Sequence, residues 1–363
     1  MMQYEIRESG KLHREDGTLL QTGYSFSPRM TYDRQALKVA RRRIKEWDRY
    51  LISDDEYALS ITLADLGHLG FLSISLIDHV ARTSRTQNSL VALPLGKMGL
   101  PGDSESGEIS FSNHQASFSL SFREGKRYLK GEYGYFERAT TLYFNALLDD
   151  EPRDSMNLVV PWSSDKDAFS FTRKIVGLSA QGSFRKGREV HGFTSTDSFA
   201  LLDWGRGVWP FETTWFWGYG MGWQEGGISY DADALDSHRF GLNLAYGLGD
   251  TTDATENMFL IDGKGYKLGE VDFGVVYRYE ADKKKRVDYI SRLMGPWHIT
   301  DSDGLLDLVF TPYHDCAGSV NLAMIVSDRH QVFGEFEGKV VAEGKDFSIA
   351  GLKGAIELVH NKY

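Results

Sequence analysis

The sequence predicts a mostly β protein made of two antiparallel barrels or half-barrels side by side. From Tyr57 onward, short segments alternate apolar and polar residues, and turns rich in Gly, Asp, Asn or Pro separate them. A spacing of about 8–12 residues between strands is typical of antiparallel sandwiches and barrels. Roughly twenty strands are too many for one small barrel of about eight. We therefore expect one barrel domain in residues 1–207 and a second in 208–363.

Before these strands, one segment is predicted to be helical. Asp33 is suited to an N-cap, and apolar residues follow it at helical spacing from Leu37 to Trp47. The same segment carries a run of arginines, so we predict one short basic helix near 33–47. Its charged face can point to solvent or to an anionic membrane. We favour solvent, because one helical turn of arginines is a weak anchor.

The strand pattern then continues to the end of the chain. Alternation of apolar and polar residues places successive side chains on opposite faces of a sheet. Representative segments, in order, are YALSITLADLG, GFLSISLIDHV, TTLYFNALL, SFTRKIVGLSA, RFGLNLAYGLG, GLLDLVFTPY and GAIELVH.

Composition and charge exclude several function classes. The 363 residues include 41 basic and 51 acidic ones, and the net charge of -10 argues against a nucleic-acid partner. The single cysteine, Cys316, cannot form an intramolecular disulfide and suits a reducing compartment. The N-terminus does not look like a secretory signal, and no apolar run approaches the ~18 residues of a membrane span. We expect a cytoplasmic protein without stable membrane insertion, whose oligomeric state the sequence leaves open.

The stretch Phe199–Trp223 is unusually aromatic and contains five of the eight tryptophans. These are Trp204, Trp209, Trp215, Trp217 and Trp223. Rings at this density form either the wall of a small-molecule pocket or plain core. Asp203 and Arg206 favour the pocket, because a charge among tryptophans is costly unless it is paired or functional. Since the domain boundary is expected within 205–211, this pocket would lie at the domain junction.

Three charged residues of this stretch are the candidate catalytic residues: Asp203, Arg206 and Glu212. Packing against an indole disfavours a charged carboxylate, so the pKa of Asp203 should rise and make it a proton donor. Arg206 and Glu212 would set the charge state of that acid. The alternative is a structural ion pair between Asp203 and Arg206 that fixes a turn, since such pairs also perturb pKa values.

Other polar residues are weaker candidates. Glu256 and Asn257 can orient a ligand hydroxyl or cap a loop, and we favour capping. Asn243 needs a partner if it points inward, and the strand that ends near His191 leads to the aromatic stretch. The fragment 314–316 (His-Asp-Cys) lacks a second ligand pair, so we expect no metal and no cofactor. The expected ligand-binding residues are Trp204, Trp209, Trp215, Trp217, Tyr219, His191, Asn243, Glu256 and Asn257.

Four ordered motifs carry a resemblance to a known family. The segments LLDWGRGVWP, WFWGYGMGW, GLNLAYGLGDTTDATEN with IDGKGYKL, and FGEFEG with GLKGAIELV resemble the domain of unknown function 2804 family over most of the chain. That family is distantly similar to two-domain lipocalin-like proteins, including carotenoid 1,2-hydratases and tocopherol cyclases. The resemblance implies two calycin-like barrels with a pocket between or within them. An Asp-x-x-Trp-Gly element bears a candidate proton donor in the carotenoid hydratases, and the similar element here, Asp203-Trp204-Gly205, lacks the two intervening residues.

Three function hypotheses follow from the residues and the resemblance. The first is an enzyme that acts on an isoprenoid- or lipid-like molecule by acid-assisted hydration, cyclisation or lyase chemistry, with tryptophan faces stabilising a cation. The second is a carbohydrate-active enzyme, in which tryptophans stack on sugars and Asp203 pairs with Glu212 or Glu256. The third is a lipocalin-like carrier of a small-molecule ligand without chemistry.

Overall fold

The chain folds into two compact units. A computed structural model describes residues 3–150, 153–225, 237–275, 293–322 and 325–362. The N-terminal unit is Glu5–Trp209, and the C-terminal unit combines Pro210–Tyr363 with Met1–Tyr4. Each unit is built on one curled antiparallel sheet. The prediction of a mostly β chain with two antiparallel half-barrels is therefore confirmed.

The main sheet of the N-terminal unit runs in the order β7-β6-β5-β4-β15-β13-β11-β10-β9-β8, with β12 and β14 paired to β13 and β2 paired to β12. The strands β1 and β3 form a separate small parallel pair. The strands are β1 (Gly10–Lys11), β2 (Gly23–Ser25), β3 (Met30–Thr31), β4 (Ile44–Ser53), β5 (Tyr57–Asp65), β6 (Leu69–Asp78), β7 (Thr83–Ala92), β8 (Glu108–Ser112), β9 (Ala116–Arg123), β10 (Lys126–Glu137), β11 (Thr140–Asp149), β12 (Met156–Trp162), β13 (Asp165–Lys186), β14 (Glu189–Phe193) and β15 (Phe199–Val208).

The two faces of this sheet differ in what they carry. Leu202 and Trp204 of β15 and Tyr50 of β4 belong to the apolar core of the unit, and we call their side of the sheet the inner face. Because side chains alternate along a strand, Asp203 lies on the opposite side, the outer face. The central strands β4, β13 and β15 are buried on both faces, so polar side chains there need partners.

The sheet of the C-terminal unit runs in the order β19-β18-β17-β16-β24-β23-β22-β21-β20. Its core holds alternate residues such as Phe216, Leu244 and Ile356. The strands are β16 (Glu212–Glu225), β17 (Ser237–Tyr246), β18 (Met258–Ile261), β19 (Lys264–Lys267), β20 (Val271–Asp272), β21 (Trp297–Asp301), β22 (Leu306–Leu322), β23 (Ile325–Ala342) and β24 (Lys345–Lys362).

The first residues of the chain belong to the C-terminal unit. Gln3 donates from its side-chain nitrogen to the carbonyl oxygen of Leu268 at 2.7 Å. Its side-chain oxygen accepts from the backbone nitrogen of Thr255 at 2.9 Å. Tyr4 adds a backbone hydrogen bond to the carbonyl of Asp253. The N-terminal segment is thus bonded to the chain on either side of β18.

The basic helix predicted near 33–47 is wrong. Asp33 does act as a cap, but only of a short 3₁₀ turn at Arg34–Ala36, and a second such turn spans Arg41–Arg43. From Ile44 the chain is strand β4, which lies between β5 and β15 in the sheet. Pairing on both sides outweighs a local apolar spacing that also fits a helix. No helix in the described ranges has the length and apolar character that crossing a bilayer requires.

Candidate functional site

Asp203 lies on the outer face of β15 and is 7% exposed. Its Oδ1 accepts a hydrogen bond from the Lys174 ammonium on β13 at 2.5 Å. The same oxygen accepts from the indole nitrogen of Trp47 on β4 at 3.0 Å. Lys174 is also buried. The carboxylate is therefore one half of a buried ion pair, and an indole N–H fixes its orientation.

A glycine gives Trp47 its position beside the carboxylate. A Cβ atom on Gly205 would lie 2.0 Å from Cζ2 of Trp47, so the indole occupies the space that any other residue would fill. Trp209 packs edge to face on Trp47, with ring centroids 5.2 Å apart. Trp47 thus contacts the Asp203 carboxylate, and Trp209 packs on Trp47. We call Trp47, Lys174, Asp203 and Trp209 the Asp203 site.

Arg206 lies on the inner face, away from Asp203. It is fully buried and pairs with the Asp48 carboxylate at 2.8 Å. Its guanidinium also packs over the Trp204 ring, 4.2 Å from the centroid. The interpretation of Asp203 and Arg206 as one ion pair is wrong, because residues three apart in a strand point to opposite faces.

Asp48 is a second buried carboxyl group of this unit. It lies on β4, next to Trp204 in register. Burial raises the pKa of the Asp48 carboxyl, and the Arg206 guanidinium opposes only part of that rise. Arg206 therefore sets the charge state of Asp48, which the sequence analysis did not nominate.

On β16 the alternating rings of Trp215, Trp217 and Tyr219 share one face, and that face lies opposite the apolar core of the C-terminal unit. Trp217 donates from its indole nitrogen to Oδ1 of Asn243 at 2.8 Å. The ring centroids of Trp217 and Tyr219 lie 5.0 Å apart. Trp215 lies on the same face of the strand. The Tyr219 hydroxyl accepts from Gln331 at 3.4 Å. Polar partners thus hold these rings in place.

Asn243 and Asn257 are fully buried and bind the backbone. Asn243 donates to the carbonyl oxygen of Glu256 at 2.6 Å. Asn257 accepts from the nitrogen of Ala245 at 2.5 Å and donates to the carbonyl oxygen of Gly269 at 2.9 Å. These bonds fix the chain before and after β18.

Glu212 and His191 have partners other than Asp203. Glu212 is an exposed residue of the C-terminal unit and pairs with Lys362 at 3.3 Å. His191 lies on β14 of the N-terminal unit, and its Nε2 is 2.6 Å from Oδ2 of Asp54. Its ring also packs against Tyr57, with centroids 4.8 Å apart. The hydrogen bond to Asp54 fixes the orientation of the His191 ring.

A cavity of about 600 Å³ lies on the N-terminal unit, against strands β8 to β11. The polar residues of its lining include Ser110, Lys130, Glu132, Tyr143 and Arg185. No residue of the aromatic stretch 199–223 lines this cavity. Within the ranges that the structure describes, no three His, Cys, Asp or Glu side chains are grouped as a metal ion would require.

Sequence reasoning missed Trp47, Asp48 and Lys174. Trp47 and Asp48 fell at or beside the end of the mispredicted helix. The sequence does contain a sign that Lys174 is buried with a partner, because it stands next to Arg173 within the strand segment SFTRKIVGL. Two adjacent charges in a buried strand must point to opposite faces, and each needs a partner there.

Two solved structures match this chain over most of its length. One is described as a "putative AttH" from Nitrosomonas europaea, with a TM-score of 0.50, 11% identity, and coverage of 92% of this chain and 98% of that one. The other is kievitone hydratase from Nectria haematococca, with a TM-score of 0.42, 14% identity, and coverage of 88% of each chain. The first of these structures shows the fold alone. No curated protein matches.

The family resemblance seen in the four motifs extends to the whole chain. The model of the family described as domain of unknown function (DUF2804) matches residues 3–363, and the chain therefore belongs to that family.

Proposed function

We propose that the protein is an enzyme that transfers a proton to or from a largely apolar small molecule, isoprenoid- or lipid-like, at Asp203. The reaction class is acid-assisted hydration, cyclisation or lyase chemistry. One observation carries this proposal: a buried carboxylate lies 2.5 Å from a buried ammonium and accepts a hydrogen bond from an indole on which a second indole packs. Buried ionisable groups with fixed partners are typical of sites where protons move.

Each residue of the site has a definite role in the proposed reaction. The Lys174 ammonium donates a hydrogen bond to Asp203 Oδ1, and in the proposed reaction it would resupply the proton that the carboxyl group delivers. The Trp47 N–H holds the carboxylate in one orientation. The faces of the indoles of Trp47 and Trp209 would stabilise positive charge that develops on the substrate.

The two other hypotheses remain as alternatives. A carbohydrate-active enzyme needs two carboxylates about 5–10 Å apart across an open groove. Of the residues that line the cavity of the N-terminal unit, Glu132 alone carries a carboxylate. We therefore rank sugar chemistry below proton transfer to an apolar molecule. A lipocalin-like carrier would retain a ligand and would not convert it.

Deuterium incorporation tests the proposal and does not require the substrate to be identified in advance. The purified protein is incubated with an apolar cell extract in D₂O, and products that gain deuterium on carbon are sought by liquid chromatography and mass spectrometry. We expect Asp203→Asn to lower their formation by about 10²–10⁴-fold, because the amide cannot transfer the proton. Asp346→Asn is the matched control, since Asp346 is exposed and pairs with Lys339 on the surface.

Two results would count against the proposal. One is an Asp203→Asn variant that keeps full activity per folded molecule. The other is a wild-type protein that retains a ligand in native mass spectrometry and yet gives no labelled product, which is the behaviour of a carrier.

A further inference from the structure

Three buried arginines from three strands converge on one loop. Arg127 of β10, Arg173 of β13 and Arg206 of β15 are 1%, 6% and 0% exposed. Arg206 donates to the carbonyl oxygen of Pro101 at 2.8 Å. Arg127 donates to the carbonyl oxygen of Ser104 at 2.5 Å, and Arg173 donates to the hydroxyl of Ser104 at 2.7 Å. The loop is therefore held by donors that belong to the barrel.

This loop, which we call the strap, comprises residues 100–106 between β7 and β8. A glycine with left-handed backbone geometry stands at each end, Gly99 with φ 70° and Gly107 with φ 85°. Other residues rarely adopt such angles. Leu100 of the strap packs against the apolar core of the unit. The strap thus covers an apolar surface and three guanidinium groups together.

The carboxylate partners of the three arginines have different origins. Two arginines pair with carboxylates outside the strap, at 2.8 and 2.5 Å. These pairs are Arg206–Asp48 and Arg127–Asp150. Arg173 pairs instead with Glu105 of the strap, at 2.8 Å. The third guanidinium therefore depends on an anion that the strap itself provides.

The Arg173–Glu105 pair is asymmetric in its exposure. The Arg173 side chain is 7% exposed, whereas the Glu105 side chain is 48% exposed. An exposed carboxylate gains little from such a pair, because water solvates it well on its own. A buried guanidinium without an anion is costly, and burial lowers the pKa of Arg173. Glu105 can leave at small cost, provided that another anion takes its place on Arg173.

We propose that Arg173 is the binding site for the carboxylate head of a small amphiphilic molecule, and that Glu105 occupies this site as an internal competitor. The apolar part of the ligand takes the surface that Leu100 covers once the strap moves about Gly99 and Gly107. This site lies on the inner face of β13, so it does not rest on the function proposed for Asp203.

Calorimetric titration of the full chain with sodium decanoate, below its micelle concentration, tests the proposal. Decan-1-ol is the neutral comparison. We expect saturable binding of decanoate and no matching binding of decanol. We expect Glu105→Gln to bind decanoate about three- to tenfold more tightly, because removing a competitor raises the fraction of open sites. Glu108→Gln is the matched control, since Glu108 pairs with Arg123 on the surface and should leave the affinity unchanged.

A second measurement follows the strap itself. Backbone amides of residues 100–106 should exchange hydrogen faster when decanoate is bound, because the ligand displaces the strap. Arg173→Met should abolish decanoate binding. If that variant is poorly folded, the comparison of Glu105→Gln with Glu108→Gln decides whether Glu105 competes with decanoate. Equal decanoate affinity for Glu105→Gln and Glu108→Gln would overturn the proposal. The proposal would also be overturned if decanol bound as tightly as decanoate. It would be overturned as well if decanoate left the exchange rates of the strap amides unchanged.

Discussion

Removing the buried Arg206 guanidinium should be among the most destabilising single changes in the N-terminal unit. The side chain is 0% exposed and pairs with Asp48. It also donates to the carbonyl oxygens of Trp47, Gly205 and Pro101, each at 2.8 Å. In Arg206→Met the new side chain fills much of the volume, but it supplies no donor to these oxygens.

The expected magnitude follows from the charge that is left behind. Breaking a buried ion pair by removing one partner costs about 3–5 kcal/mol. For a unit of this size each kcal/mol shifts the melting temperature by about 2–4 °C, so the expected fall is roughly 6–20 °C. Burial already raises the pKa of Asp48, and loss of Arg206 should raise it further. The penalty should therefore shrink as the pH falls and Asp48 takes up a proton.

Thermal and urea denaturation, followed by circular dichroism at several pH values, measure this effect. Arg123→Met is the control, because both partners of the Arg123–Glu108 pair are about two-thirds exposed, at 66% and 68%. We expect that change to cost less than about 1 kcal/mol. Adding Asp48→Asn to Arg206→Met should recover part of the loss. An Arg206→Met protein within about 1 kcal/mol of wild type at neutral pH would refute the reasoning.

Two further predictions concern single residues. Gly205→Ala should displace the Trp47 ring and lower the free energy of unfolding, measured by urea denaturation, by about 1–3 kcal/mol. Gly192→Ala is the control and should be neutral, because its Cβ would meet nothing within 4 Å. Similar stability of the two variants would contradict this prediction. Burial lowers the pKa of Lys267 from 10.5 to about 7. Between these two pH values the unfolded state binds more protons than the folded state, so the free energy of unfolding should rise with pH. Lys267→Met should remove the contribution of Lys267 to this pH dependence, which is measured as unfolding free energies at several pH values in that range. Equal slopes of unfolding free energy against pH in the variant and the wild type would show the prediction wrong.

Period-two alternation was sufficient to predict the strands and to place Trp215, Trp217 and Tyr219 on one face. It could not show which face would meet the apolar core, because that depends on how the whole sheet curls. The helix predicted near 33–47 failed for a related reason. A short apolar spacing is local information, whereas β4 is fixed by pairing with β5 and β15.

The Asp203 site shows a similar limit. Asp203 could be predicted as a candidate site residue from its aromatic neighbours. Its partners Lys174 and Trp47, however, lie 29 and 156 residues away in sequence. Contacts at such separations follow from strand order and register, which a single sequence does not encode in any local pattern. The same holds for Arg206, whose partner Asp48 is 158 residues distant.

The bonds of Gln3 to the C-terminal unit have a consequence for biosynthesis. The ribosome makes Gln3 252 residues before Thr255, whose backbone nitrogen donates to the Gln3 side chain. The N-terminal unit can fold while the chain is still growing, whereas the amino-terminal segment must wait for its partners. A shortened chain that begins at Pro210 would lack the segment Met1–Tyr4 that completes this unit. We expect its β18 region to be less protected from proteolysis than in the chain that carries Gln3 and Tyr4.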